Sequence, residues 1–301
     1  MPEVLEIKKY ANFLNKYLKN KYIKKIKILN GRYKKYEPFP LYDKINKNLP
    51  LKVIDIKTKG KFLYFILENN FYIFSTLGLS GGWTYKSNLL KNYKFPQLLD
   101  YMSKQKMNQY KKTVLNHLNV QFQTDKGSIY YYDTLSFGTL KVVNTYEELE
   151  EKLNSIAPDI MDKDTTFEIF KNQYKKIKNN EKNIGLVLMD QKVISGIGNY
   201  LRSDILWLSK ISPYRKVKDL TDKDLKNIYK NAKLLTLGEY NFNLAIKMKN
   251  IKKTNKLPKN YGRDFFIYKM IKDIKGRQIT KEPLYTGKIP RYIYWVKGYQ
   301  V

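Results

Sequence analysis

Between Leu51 and Phe74 the chain reads "LKVIDIKTKGKFLYFILENNFYIF", with apolar and aromatic residues at strand-like spacing. Lys59-Gly60 and Asn69-Asn70 supply turn chemistry between the runs, because glycine and asparagine reach positive φ at little cost. A second group, "VQFQTDKGSIYYYDTLSFGTLKVV", behaves alike and turns at Asp125-Lys126-Gly127. Short strands with tight turns predict an antiparallel β-sandwich over residues 1–150, with a helix near the amino terminus. Residues 86–116 interrupt it. They are basic, carry a helical pattern at Leu98, Tyr101 and Met102, and read as an insertion.

From Thr165 onward the spacing is helical, as in "TTFEIFKNQYKKIKNNEKNIGLVLMD", and Thr166 before Phe167 and Glu168 predicts a helix start. Residues 151–164, with "SIAPDIMDKD" around Pro158, are the expected linker. The closing "GRQITKEPLYTGKIPRYIYWVKGYQV" returns to β propensity and predicts a hairpin turning at Gly287. The expected fold class is therefore α+β in two domains: a sandwich over 1–150 and a helical domain over 165–301 that ends in a hairpin.

Composition narrows the chemistry. The 301 residues are enough for about two domains. With no cysteine, disulfides and thiolate metal sites are excluded, and His117 is the only histidine. A reducing intracellular compartment fits. No window approaches the roughly 18 apolar residues of a membrane span, and the lysine-studded start lacks a secretory apolar core. The net charge of +31 favours a polyanionic partner, nucleic acid first. An AT-rich coding bias towards Lys, Asn, Ile and Tyr gives the same composition without selection for charge. Arginine occurs only six times, so each placed arginine says more than any lysine.

The most distinctive internal stretch is "LMDQKVISGIGNYLRSDILWLSKISPYR". Leu201, Ile205 and Leu208 predict one apolar face of a helix that Pro213 ends. Ser195-Gly196-Ile197-Gly198-Asn199 before it is a glycine turn, suited to close approach by a phosphate at a helix start. Asn199 either reaches that phosphate or simply caps the helix.

These residues resemble the helix–two-turn–helix element of the Fpg/Nei family of DNA glycosylases, whose pattern is "LLDQ…GIGN…E" before a "P.R" ending. Five further blocks follow the family's order over nearly the whole chain. "MPEVLEI" resembles its amino-terminal "MPE.PE"; "KGKFLYFIL" its strand bearing a lysine, here Lys61; "TLGLSGGW" its "HLGMSG"; "YYDTLSFG" its "DPRRFG"; and "PRYIYWVKGYQ" its arginine-bearing carboxy-terminal hairpin.

The resemblance implies a bifunctional glycosylase and abasic-site lyase of base excision repair, acting on damaged DNA without a cofactor and as a monomer. It makes Pro2, exposed as a secondary amine once Met1 is trimmed, the nucleophile at C1′ of the damaged nucleotide. The iminium so formed drives β,δ-elimination. An α-amine titrates well below lysine, so more of it is neutral near pH 7. Glu3 is then the general acid at the sugar ring oxygen, and Glu6 orients this end. Lys61, Asn199 with its neighbour Gly198, and Arg291 map onto residues that grip phosphates around the lesion. Leu79 stands where the family's methionine wedges into the gap left by the flipped base, and Phe137 where an aromatic packs against the opposite strand.

Departures from the family pattern refine the expectation. Val296 and Tyr299 follow the arginine strand where a zinc ribbon would need cysteine, which points to the zincless Nei-like branch, with Tyr292, Tyr294 and Trp295 as packing material. Leu135 and Ser136 replace the arginine pair of "RRFG", and Thr76 replaces a histidine. These changes favour oxidised pyrimidines and hydantoins as substrates. The lysine- and asparagine-rich texture suits a viral Nei-like enzyme. The competing readings are a catalytically silent DNA-binding protein of the same fold and a basic RNA-associated protein. The damaged-base pocket is expected in loops around residues 240–262.

Overall fold

A computed structural model describes residues 2–85, 104–236, 266–286 and 289–301 of the chain. Met1, the predicted pattern at Leu98, Tyr101 and Met102, the pocket loops around 240–262 and the Gly287 turn lie outside the described residues. Two compact units divide the chain, Met1–Ser155 and Ile156–Val301.

The first unit begins with α1 (Val4–Leu18), whose buried Ile7, Tyr10, Ala11, Leu14 and Leu18 recur at helical spacing and form one core-facing stripe. Eight strands follow: β1 (Tyr22–Ile28), β2 (Leu51–Lys59), β3 (Phe62–Leu67), β4 (Tyr72–Thr76), β5 (Gly81–Thr84), β6 (Leu118–Thr124), β7 (Gly127–Asp133) and β8 (Thr139–Val143). Their order is β5-β7-β6-β1-β2-β3-β4-β8, and every pairing is antiparallel. The junction between β1 and β2 holds only two residue pairs, Tyr22↔Lys52 and Ile23↔Leu51. The two halves fold over each other at this seam. Phe65 on β3 lies 5.0 Å from Trp83 on β5 and stacks at 6.5 Å on Phe122 of β6, although two strands separate β3 from β6 in the sheet. The result is the antiparallel sandwich the alternation predicts. Asn69 and Asn70 sit at φ 57° and 58°, and Gly60 at φ 56°, as their turns require.

Short helices α2 (Arg32–Lys35) and α3 (Tyr42–Lys47), then α4 (Lys104–Asn116) and α5 (Tyr146–Asn154), complete this unit. The described part of the basic insertion is α4. Its Val114 is buried, and its Tyr110 packs against Tyr132. The expected linker differs from what is found. Its first residues are the last turn of α5, and Ser195 donates its backbone N–H to Pro158 O at 2.9 Å while Ile160 donates to Ser195 O at 3.1 Å. Backbone pairing thus makes the Pro158 stretch part of the second unit.

That second unit carries α6 (Phe167–Tyr174), α7 (Ile184–Val187), α8 (Asn199–Ser209), α9 (Asp222–Thr236) and a hairpin of β9 (Thr280–Thr286) and β10 (Ile289–Trp295). Thr166 caps α6 through its side chain, which accepts the Ile169 N–H at 3.3 Å. The expected single apolar face of α8 is corrected: Tyr200 through Trp207 are all buried, Arg202 and Asp204 included. Nor does Pro213 end the helix. It stops at Ser209, with Lys210 in the left-handed region at φ 59°.

Candidate functional site

Pro2 and Glu3 are buried at the head of α1, Glu3 with only 1 % exposure. Glu3 is the N-cap residue, and Glu6, one turn into the helix, accepts the Glu3 N–H at 2.9 Å, closing a capping box. A carboxylate at a helix start also meets the positive end of the backbone dipole. The helix itself is pinned to the sheet twice. The Asn15 side chain donates to Ile56 O at 2.6 Å and accepts the Ile56 N–H at 3.0 Å. The Tyr10 and Tyr132 hydroxyls meet at 2.9 Å against Gly82, where a Cβ would fall 2.2 Å from the Tyr10 oxygen.

Lys61 is half-buried on the two-residue turn joining β2 and β3, one position before the strand that was expected to bear it. The turn takes it because Gly60 supplies the positive φ.

Leu79 and Phe137 are brought together. The turns that carry them touch at backbone level: a Cβ on Gly78 would lie 2.7 Å from both Gly138 N and Phe137 C. Leu79, Leu135 and Phe137 nevertheless point outward, with 43 %, 55 % and 60 % exposure. Large apolar side chains left exposed in a group signal a contact surface. Thr76, at the histidine position, spends its hydroxyl on Thr139, which it meets at 2.7 Å and whose N–H it accepts at 3.0 Å.

In the second unit, Gly198 is the N-cap residue of α8, and Asn199 is its first helical residue. The capping alternative for Asn199 therefore falls to Gly198. The glycine turn is held from within: Gln191 accepts the Gly196 N–H at 2.9 Å and donates to Ile197 O at 2.7 Å, with Gly196 at φ 105°. Arg291 is exposed on β10, paired with Leu284 of β9.

Arg202 joins these two places, and sequence reasoning passed over it. It is fully buried, donating from Nη1 to Gly185 O at 2.9 Å and from Nη2 to Tyr292 O at 2.9 Å and to Asn199 Oδ1. One guanidinium thus orients the Asn199 amide and fixes the strand beside Arg291. A scarce arginine amid the apolar positions of α8 was the signal available. Asp204 was missed in the same way. It is buried and accepts the N–H groups of Phe266, Ile267 and Tyr268 at 3.0, 3.0 and 3.4 Å, and burial pushes its carboxyl up to about 7 against the opposing pull of those amides.

A zinc ribbon does not fit the hairpin. Val296 is buried and apolar, the Tyr299 ring lies beneath the Arg277 guanidinium, and the chain has no cysteine. Packing and hydrogen bonds hold this region. Trp295 stacks edge-on against Tyr214 at 5.4 Å, and Glu282 accepts from Trp295 Nε1 at 2.9 Å and from the Tyr214 hydroxyl at 3.0 Å. Burial, with the Glu282 carboxylate beside it, lifts the Tyr214 phenol to about 12.

Comparison with known proteins agrees with these elements. Residues 1–140 match the formamidopyrimidine-DNA glycosylase N-terminal domain, and residues 156–253 match the formamidopyrimidine-DNA glycosylase H2TH domain. A formamidopyrimidine-DNA glycosylase of Mycoplasma genitalium is 32 % identical over 237 residues, covering 77 % of this chain and 72 % of the relative. One of Ligilactobacillus salivarius is 29 % identical, covering 78 % of each. Among solved structures, the Lactococcus lactis enzyme bound to DNA containing an abasic site superposes with a TM-score of 0.71 at 20 % identity, over 99 % of each chain. With both domains matched in order and a relative of this similarity, the chain belongs to the formamidopyrimidine-DNA glycosylase family.

Proposed function

We propose that this DNA glycosylase of base excision repair opens the glycosidic bond of an oxidised nucleotide with the amine of Pro2 and then cleaves the strand as a lyase. The observation that carries the reading is the amino terminus. Pro2 and Glu3 are buried at the head of α1, whose first turn is organised by Glu3 and Glu6. The Pro2 nitrogen forms the bond to C1′ as the base departs. A proton from Glu3 to the ring oxygen opens the sugar and leaves an iminium, whose electron demand drives β- and then δ-elimination of the flanking phosphates. Lys61, Asn199 and Arg291 grip the phosphates while the nucleotide is extruded, Leu79 fills the space it leaves, and Phe137 packs against the opposite strand. Damaged DNA is the partner, in duplex or single strands.

The substrate range follows from what Leu135 lacks. It has no side-chain donor, and its backbone N–H is already taken by Ser80 and Asp133. An unpaired base on the opposite strand therefore meets no reader there, which favours oxidised pyrimidines and hydantoins in a Nei-like manner over 8-oxoguanine paired with cytosine. The hairpin is held by packing, as in the zincless branch, so chelators should leave activity intact.

Borohydride trapping tests the central claim. A covalent complex with lesion-bearing DNA should form through Pro2 and vanish when Met1 is retained or extended by a tag, since the nitrogen is then an amide. Undiminished trapping in the tagged protein would transfer the chemistry to a lysine.

A further inference from the structure

Asp133 is 1 % exposed, and beyond the Leu135 N–H its carboxylate has been given no role. It gathers the donors of two separate turns. Oδ1 accepts the Ser80 hydroxyl at 2.6 Å and the Leu135 N–H at 3.2 Å, and Oδ2 accepts the Gly138 N–H at 2.6 Å. Ser80 Oγ in turn accepts the Leu135 N–H at 3.0 Å. Ser80 directly follows Leu79, while Leu135 and Gly138 bracket the loop that exposes Phe137. Ser136 between them sits at φ 57°, a left-handed conformation that a serine adopts only when its surroundings hold it there. Gly138 admits no side chain, since a Cβ would come 2.1 Å from the Tyr131 hydroxyl and 2.6 Å from Thr76 O.

We propose that Asp133 and Ser80 are positioning residues that act as one clasp, setting Leu79, Leu135 and Phe137 at a fixed spacing as a three-pronged apolar wedge. The occupant of that wedge is the vacancy in a DNA duplex opened by an extruded nucleotide, a reading that rests on the function proposed above. Charge-assisted bonds to a buried carboxylate are stronger than neutral ones, so three of them can hold two turns in register where bare loop backbone could not. Leu135 then has a positive task. It presents an apolar surface to the orphaned base and is indifferent to which base that is. The wedge matters only where a duplex must be kept open, because a single strand has no stacked partner to displace.

That asymmetry supplies the test. Excision of one oxidised pyrimidine is measured in duplex and in single-stranded DNA for the wild type, Ser80→Ala, Asp133→Asn and Ser80→Thr. The duplex-to-single-strand rate ratio should drop about tenfold in the first two variants, the effect of losing a charge-assisted bond, and recover in Ser80→Thr, which keeps the hydroxyl. A merely structural role would lower both rates in proportion and leave the ratio unchanged, which overturns the clasp. In parallel, 2-aminopurine is placed opposite a stable abasic analogue in a duplex. Its fluorescence should change on wild-type binding and change less with Ser80→Ala; equal changes overturn the proposal. Fluorescence response without any borohydride trapping would remove the glycosylase reading while retaining the clasp. Trapping without a response would do the reverse.

Discussion

In each unit of this protein a buried charge holds residues of the proposed site, and the charges are opposite. In the first, the Asp133 carboxylate collects N–H and O–H donors from two turns and leaves apolar side chains facing outward. In the second, the Arg202 guanidinium collects the acceptors Gly185 O, Tyr292 O and Asn199 Oδ1, and the groups it supports are polar. The sign follows from the backbone at each place. Turns between strands turn spare N–H groups inward, so an anion closes them. A hairpin strand and the end of a short helix offer carbonyls, so a cation does. Breaking either clasp leaves several buried groups without partners, which costs far more than a surface ion pair would.

The largest effect should come from Arg202→Met, which fills the space but strands three acceptors. A loss of about 3 kcal/mol or more in denaturant unfolding is expected. Arg202→Lys keeps the charge without the planar fork and should recover only part of it. If Arg202→Met unfolds like the wild type, the cationic half of the comparison fails.

Asp204 sharpens the comparison, being a carboxyl that gathers backbone amides inside the second unit. Its carboxyl is raised from 3.8 to about 7 by burial, so between those values the folded protein holds a proton that the unfolded chain has lost. Stability should therefore fall as pH rises across that window, at up to about 1.4 kcal/mol per pH unit, and flatten above it. Asp204→Asn, which cannot titrate, should remove that slope. A stability profile that keeps its slope in the variant would place its origin elsewhere.

Asp133→Asn should cost less, about 1–2 kcal/mol, because the amide keeps one acceptor and loses the charge on the bonds it retains. Thermal melting measures this directly, and an unchanged midpoint would mean the two turns hold themselves. Smallest in stability is Arg291→Ala on the exposed strand, with no change expected in melting. Its effect belongs to binding, where the salt dependence of DNA affinity should fall by about one unit of slope. An unaltered slope would make Arg291 ordinary hairpin surface.

Legibility in the sequence followed the kind of signal each residue gives. The pair β2 and β3 could be read because alternation and two glycine or asparagine turns coincide between Leu51 and Phe74. The strand β1, "YIKKIKI", gave no such reading, since Lys24 and Lys25 face solvent and only Ile23 and Ile26 are buried. Pro2, Glu3, Leu79, Phe137, Asn199 and Arg291 could be named from ordered motifs, but Lys61 moved from a strand to a turn because Gly60 sets the bend. Asp133, Ser80, Arg202 and Asp204 went unread. A polar or charged side chain looks the same in sequence whether water or buried backbone surrounds it, and only the folded chain tells the two apart.

The seam between β1 and β2 has a consequence for how the first unit comes apart. With two residue pairs joining the halves of the sheet, extended only by backbone bonds between Val53 and Asn20–Lys21, little of their mutual attachment lies in the backbone ladder. It lies in the shared apolar core, at whose centre the rings of Phe65, Trp83 and Phe122 meet across the interior. Amide hydrogen exchange should show the two halves losing protection together in the wild type, because neither can open without parting those rings. Shrinking Phe65 to leucine should uncouple them, giving two exchange regimes in a sheet whose hydrogen-bond pattern is untouched.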